Sequence, residues 1–261
     1  MEFTFLLYIL AGAVVGVAVG VTGVGGGSLM TPLLLIFGFP PNVAIGTDLL
    51  YAAITKSSGV LAHHKKGNID WRIAKRMALG SVPAAILTSL TLKLFFSNAS
   101  DYTHILTLSL GIMLVVTSFV LFFRHKLKER AENNQGIMGL AHRHPTPFTI
   151  VIGFIIGVFV TLSSVGAGAI GAAVLMSLYP HLPGHRVVGI DIAHAVPLTF
   201  IAGIAHLWLG NVDFVLLFCL LIGSLPAIHL GTQIGSRIPS KVLQPILASL
   251  LMLIGLKFVF F

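Results

Sequence analysis

The chain has 261 residues, of which 56% are hydrophobic and only 9% are charged. Soluble domains carry about 25% charged residues, so the composition excludes a water-soluble globular protein and indicates helices that span a bilayer. Lys and Arg exceed Asp and Glu by 16 to 8, which in a membrane protein reports loop orientation rather than a nucleic-acid partner. With a single cysteine, Cys219, no thiolate metal site can form, and no cofactor is expected.

Apolar segments predict ten helices, at about 4–23, 28–38, 43–62, 73–96, 101–123, 148–164, 168–179, 187–209, 212–235 and 241–261. The second and the seventh are too short to cross a bilayer, which takes about 20 residues. Each follows a Gly-rich break, which is typical of discontinuous helices that line a transport site. The only long polar stretch, 124–147, is predicted to be a cytoplasmic linker between two membrane units, 1–123 and 148–261.

The two halves repeat one another in sequence. A shift of 143 residues places 46–84 on 189–227 with 12 identities in 39 ungapped positions. Most of the identities are Gly, Asp, His, Asn, Ser or Pro, which shared hydrophobicity does not explain. Because each half has an odd number of helices, we predict an all-α polytopic fold of two inverted five-helix repeats, with short broken helices after the Gly-rich breaks.

The distribution of basic residues supports one orientation of this fold. With the N-terminus outside, Lys93 and Lys257 fall outside and Lys56 lies within a span, while the other 13 of the 16 Lys and Arg residues are cytoplasmic. The opposite orientation violates the positive-inside rule. We therefore expect a multi-pass protein of a cell membrane, the inner membrane of a bacterium, with both termini outside.

Several motifs resemble those of one transporter family. They are GVTGVGGGS at 20–28, Pro32, AIGT at 44–47, SVGAGAIG at 164–171 and VGIDIAHA at 188–195. With them the chain resembles, over nearly its whole length, the TauE/SafE family of sulfite and organosulfonate exporters. The resemblance implies inverted five-helix repeats and the export of a small oxidised sulfur anion.

The two breaks supply the first candidates for the substrate site. A helix N-terminus has unpaired N–H donors and about half a positive charge, so it can hold an oxyanion. Alternatively, small residues there only permit close helix packing. The candidates at the two breaks are Gly25, Gly26, Gly27, Ser28, Ser163, Ser164, Gly166 and Gly168.

Lys56 is the most telling charge in the chain. It lies about six residues from the cytoplasmic end of the third predicted helix, and a charge at such depth is costly unless it faces a cavity or a partner. Its repeat equivalent is Thr199, so internal symmetry does not account for it. A cation inside the membrane suits an anionic substrate.

Asp48, Asp191 and His194 are the candidates for proton coupling. The two carboxylates are repeat equivalents near the starts of their helices, where they could instead act as N-caps. His194 follows Asp191 by three residues and shares its helix face, so it could carry a proton or contact the anion. The alternative for His194 is a packing role.

Together these features predict a secondary transporter that exports a small anion, such as sulfite or an organosulfonate, by alternating access at a midplane site. Protons are the candidate coupling ion, and assembly into a homo-oligomer stays open. An anion channel is the alternative, because a channel could be built from the same inverted repeats and the sequence barely separates the two. An intramembrane hydrolase is disfavoured, since the sequence has neither Gly-x-Ser-x-Gly nor His-Glu-x-x-His.

Overall fold

The computed structural model describes residues 2–22, 27–96, 98–132, 141–235 and 240–260. Within these ranges the chain is all-helical, without strands, and has ten helices of ten or more residues. In chain order they are α1 (Glu2–Thr22), α2 (Gly27–Ile36), α3 (Pro41–Lys65), α4 (Trp71–Phe95), α5 (Ala99–Glu132), α6 (Pro145–Ser163), α7 (Ala169–Leu178), α8 (Gly184–Trp208), α9 (Phe214–Gly235) and α10 (Ser240–Phe260). The predicted all-α class is confirmed.

Six of the described helices are long and apolar enough to cross a membrane, namely α1, α4, α5, α6, α8 and α9. Helices α2 and α7 have ten residues each, about half of a crossing. Helix α3 has 25 residues but is more polar, because it carries Asp48 and Lys56. Large apolar side chains such as Leu79 and Phe218 are exposed on the outer surface, as expected of a surface that faces lipid.

Prolines mark the starts of α3 and α8, the two helices that carry Asp48, Lys56, Asp191 and His194. The N-cap residues are Pro40 for α3 and Pro183 for α8. Both have the extended ψ of an N-cap residue, 142° and 148°, and proline suits a helix start because the first N–H groups lack intrahelical partners in any case. Asp48 and Asp191 therefore lie about two turns inside their helices, and the alternative role of N-cap residues is wrong for both.

Helix α5 extends into the segment predicted to be a linker. It was expected to end at 123, but it continues to Glu132. Lys, Arg, Glu, Leu and Ala dominate 124–132, and these are strong helix formers whether or not lipid surrounds them. Residues 133–140 of the segment lie outside the described residues.

The contacts between helices show an internal regularity. Helix α1 packs on α9 and α4 packs on α6, while α3 pairs with α8 and α5 with α10. Exchanging α1–α5 with α6–α10 reproduces this set of pairs. At the residue level, a Cβ on Gly46 would overlap the Asn211 carbonyl, and one on Gly189 would press on the Asn68 carbonyl. This regularity supports the internal repeat, while the opposite insertion of the two halves stays a prediction.

Candidate functional site

The second Gly-rich break joins α6 to α7 by a tight turn. Helix α6 ends at Ser163, and Ser164 follows in the left-handed region with φ 58°. Gly166 has φ 115° and Gly168, the N-cap of α7, has φ 150°. Residues other than glycine rarely adopt such backbone angles. Ser164 is the only non-glycine residue with positive φ in the described ranges, and strain of this kind concentrates at functional sites.

The first break is only partly described. Gly25 and Gly26 lie outside the described residues, and α2 begins at Gly27. The side chain of Ser28 also lies outside them. For these four residues the proposed contact with substrate stays a prediction.

Lys56 meets the second break directly. Its Nζ donates a hydrogen bond of 2.8 Å to the carbonyl oxygen of Ala167, although the two residues are 111 positions apart. Ala167 directly precedes the N-cap Gly168, so the ammonium group lies beside the N-terminus of α7. Two features that the sequence singled out independently, the lysine within a span and the second Gly-rich break, are thus in direct contact.

Two buried carboxylates accompany the lysine. Asp48 is fully buried, and its Oδ2 accepts a 2.5 Å hydrogen bond from Thr31 Oγ1 of α2, while its Oδ1 has no hydrogen-bond partner. Asp191 is 4% exposed, and its Oδ1 likewise has no partner. The charge of Lys56 interacts with both carboxylates, most strongly with that of Asp191. The site therefore contains one cation and two acids, and their role in proton coupling stays a prediction.

Each carboxylate lies against the short helix of its own half. Asp48 contacts α2 through Thr31, and Asp191 lies against Gly171 in the first turn of α7, where a Cβ would overlap its Oδ1. The sequence reasoning missed this arrangement. The only signal was that Asp48 and Asp191 are repeat equivalents and that each half has one short helix.

The two serine candidates of the second break differ in their surroundings. Ser163 Oγ donates to the Phe159 carbonyl at 2.6 Å and accepts from the N–H of Val165 at 3.2 Å, so its hydroxyl is used in shaping the break. Ser164 Oγ is buried without a hydrogen-bond partner and is a neighbour of the Asp48 carboxyl. Contact of either serine with the substrate stays a prediction.

His194 pairs with a serine that sequence reasoning missed. Its Nε2 lies 2.8 Å from Ser81 Oγ, and its Nδ1 is buried without a hydrogen-bond partner. The charge of Lys56 also reaches the imidazole. The repeat equivalents of this pair, Tyr51 and Ser224, are buried neighbours as well. The identity of Ser81 and Ser224 in the repeat was a signal for these positions.

Comparisons with known proteins identify membrane transporters as the relatives of this chain. The family model described as "Sulfite exporter TauE/SafE" matches residues 8–258. The chain is 37% identical over 252 residues to the probable membrane transporter protein YjnA of Bacillus subtilis, which covers 96% of this chain and 98% of that protein. It is 29% identical to the probable membrane transporter protein YdhB of the same organism over 259 residues, 95% of this chain and 100% of that protein.

A more distant relative is archaeal. The probable membrane transporter protein MJ0441 of Methanocaldococcus jannaschii is 28% identical over 277 residues, which cover 98% of this chain and 97% of that protein. No solved structure has significant similarity to this chain. The relatives are membrane transporters rather than enzymes, and the match extends over nearly their full length.

Proposed function

This chain belongs to the sulfite exporter TauE/SafE family of multi-pass membrane transporters, and we propose that it exports a small anion of oxidised sulfur, such as sulfite or an organosulfonate. The observation that carries the proposal is the hydrogen bond of 2.8 Å from Lys56 Nζ to the Ala167 carbonyl. It places a full positive charge beside the N-terminus of α7.

The groups around Lys56 match the chemistry of a sulfur oxyanion. Its oxygens accept hydrogen bonds, and the site offers three kinds of donor: the Lys56 ammonium, the Ser164 hydroxyl and the first N–H groups of α7. Helix N-termini favour anions through these unpaired N–H groups and through the helix dipole. An arriving anion would replace the Ala167 carbonyl as the partner of the ammonium group.

Asp48 and Asp191 are the proposed carriers of the coupling ion, which is a proton. Both can balance the charge of Lys56 while no substrate is bound. An anion beside Lys56 would repel two ionised carboxylates in a medium of low dielectric constant, so its binding would favour their protonation. Anion and proton would then occupy the site together, and the direction of net flux would follow the sum of their two gradients.

The transport cycle that we propose is alternating access. The two halves would rock about the site between α3, α7 and α8, which opens it to one side of the membrane at a time. The distribution of basic residues supports an orientation with both termini outside. The membrane in this proposal is the inner membrane of a bacterial cell.

Flux measurements on the purified full-length protein in liposomes test this function. We expect efflux of sulfite or a small sulfonate that saturates with concentration, exceeds acetate efflux, and changes rate when a pH gradient is imposed. Flux that rises linearly without saturation would make the protein an anion channel instead. The absence of sulfur-anion flux above that of protein-free liposomes would contradict the proposed substrate class.

A further inference from the structure

A cluster of arginines lies away from Lys56, near the other end of α7. A pocket of about 570 Å³ is lined by residues of α4 and α8, by the start of α6, and by the segment that joins α7 to α8. Three arginines contribute to its wall, Arg72, Arg76 and Arg186. Since α7 has ten residues, this pocket and the Lys56 site are separated by about 15 Å along that helix.

The pocket has more positive charge than its own residues balance. Asp70 is the one carboxylate among the residues that line it, and its Oδ1 already accepts the N–H groups of Arg72 and Ile73 as the cap of α4. The Nε of Arg186 is buried without a hydrogen-bond partner among the described residues. A buried donor on a charged group is costly to leave unpaired, so the described part of the pocket leaves room for an anionic acceptor beside Arg186.

Membrane orientation alone does not explain this cluster. The positive-inside rule accounts for part of the charge. In agreement with that rule, the repeat equivalents of Arg72 and Arg76, which lie on the opposite side in an inverted repeat, are the uncharged Val215 and Cys219. However, a loop that only marks orientation has its charges in water. Arg186 instead has a buried Nε in the wall of a pocket.

The residue types indicate which anion would fit. Guanidinium groups bind phosphate oxygens through two parallel hydrogen bonds, which a lysine cannot do. The volume is many times the roughly 30 Å³ of one water molecule, and Ile73, Leu178 and Leu182 supply apolar wall. The ligand is thus larger than a single small oxyanion and is partly apolar.

We propose that this pocket binds a phosphate group carried on a larger organic molecule. Such a group could come from the headgroup of an anionic phospholipid, since basic pockets between transmembrane helices bind such headgroups, or from a soluble phosphate ester. The site is independent of the transported anion and does not depend on the function proposed above.

Binding to the full-length protein tests the proposal with two probes of the same chemistry. Glycerol 3-phosphate is titrated onto protein in nanodiscs of phosphatidylcholine, and thermal unfolding is compared between nanodiscs with and without phosphatidylglycerol. We expect Arg76→Gln and Arg186→Gln each to weaken the response to at least one probe by about 10-fold or more. Arg186→Lys keeps the charge but loses the paired donors, so we expect an intermediate loss.

Lys75→Gln is the matched control, because Lys75 is exposed on α4 and does not line the pocket. We expect it to respond like the wild type, and helicity by circular dichroism verifies that every variant is folded. Selective loss with phosphatidylglycerol assigns the lipid as the source, and selective loss with glycerol 3-phosphate assigns a soluble ester. Equal responses of the two arginine variants and the Lys75 variant to both probes would overturn the proposal, as would a wild type that responds to neither.

Discussion

At the scale of single residues, the site depends on how closely Asp191 approaches α7. Gly171 lies in the first turn of that helix, and the absence of a side chain there leaves room for the Asp191 carboxylate. The carboxylate is thereby placed beside the helix N-terminus and within electrostatic range of Lys56. Gly171 thus fixes the position of a candidate proton carrier.

Substitution of this glycine gives a prediction. In Gly171→Ala the new Cβ overlaps Asp191 Oδ1, so the carboxylate or α7 must move. We expect a loss of about 1–3 kcal/mol in the free energy of unfolding, measured by thermal unfolding in detergent, together with slower anion flux in liposomes.

Gly184→Ala is its control, because a Cβ at Gly184 meets no atom within 4 Å. We expect it to match the wild type in both measurements. If Gly171→Ala behaved like Gly184→Ala, the close approach of Asp191 to α7 would not exist in the protein.

At the scale of elements, sequence pattern identified the helices but not the geometry between them. Helix lengths and the short helices α2 and α7 follow from runs of apolar residues and from glycine breaks, which are local properties. The predicted end of α5 at 123 is too early, because the polar residues 124–132 favour a helix and not a loop. The contact of Lys56 with Ala167 and the pairing of His194 with Ser81 join distant segments, and no local pattern encodes them.

The turn between α6 and α7 yields a prediction at this scale. Gly166 has φ 115°, and alanine there is strained whatever space is available. We expect Gly166→Ala to lower the free energy of unfolding by about 1–3 kcal/mol, measured by thermal unfolding. Gly59→Ala is the comparison, because its Cβ would make only ordinary contacts, of 3.6 Å and 3.7 Å with Ile192. A smaller loss for Gly166→Ala than for Gly59→Ala would contradict this turn geometry.

At the scale of the whole molecule, the central claim about architecture is that the two halves insert in opposite orientations. Packing supports an internal repeat, since exchanging the halves reproduces the main helix pairs. The distribution of charge supports the opposite orientations, because only one of two repeat-equivalent regions is basic. Lys65 ends α3 and Lys66 follows it in the loop, whereas the equivalent end of α8 and the loop after it have no Lys or Arg.

Cysteine labelling tests the opposite orientations. Lys65 and Trp208 are repeat equivalents at the ends of α3 and α8, and both are exposed. In a Cys219→Ser background, we expect a membrane-impermeant maleimide added to intact cells to label Trp208→Cys. Labelling of Lys65→Cys is expected only after the membrane is permeabilised. Labelling of both from the same side would contradict the inverted repeat.

The most direct test of the account is anion binding and flux after the charge of Lys56 is removed. We expect Lys56→Ala to lose sulfite or sulfonate binding and to reduce flux by about 10-fold or more, since it removes the charge-assisted partner of the anion. Lys93→Ala should keep the wild-type values, because Lys93 lies over the ring of Trp208 instead. Wild-type binding and flux in a correctly folded Lys56→Ala protein would show that the anion site lies elsewhere.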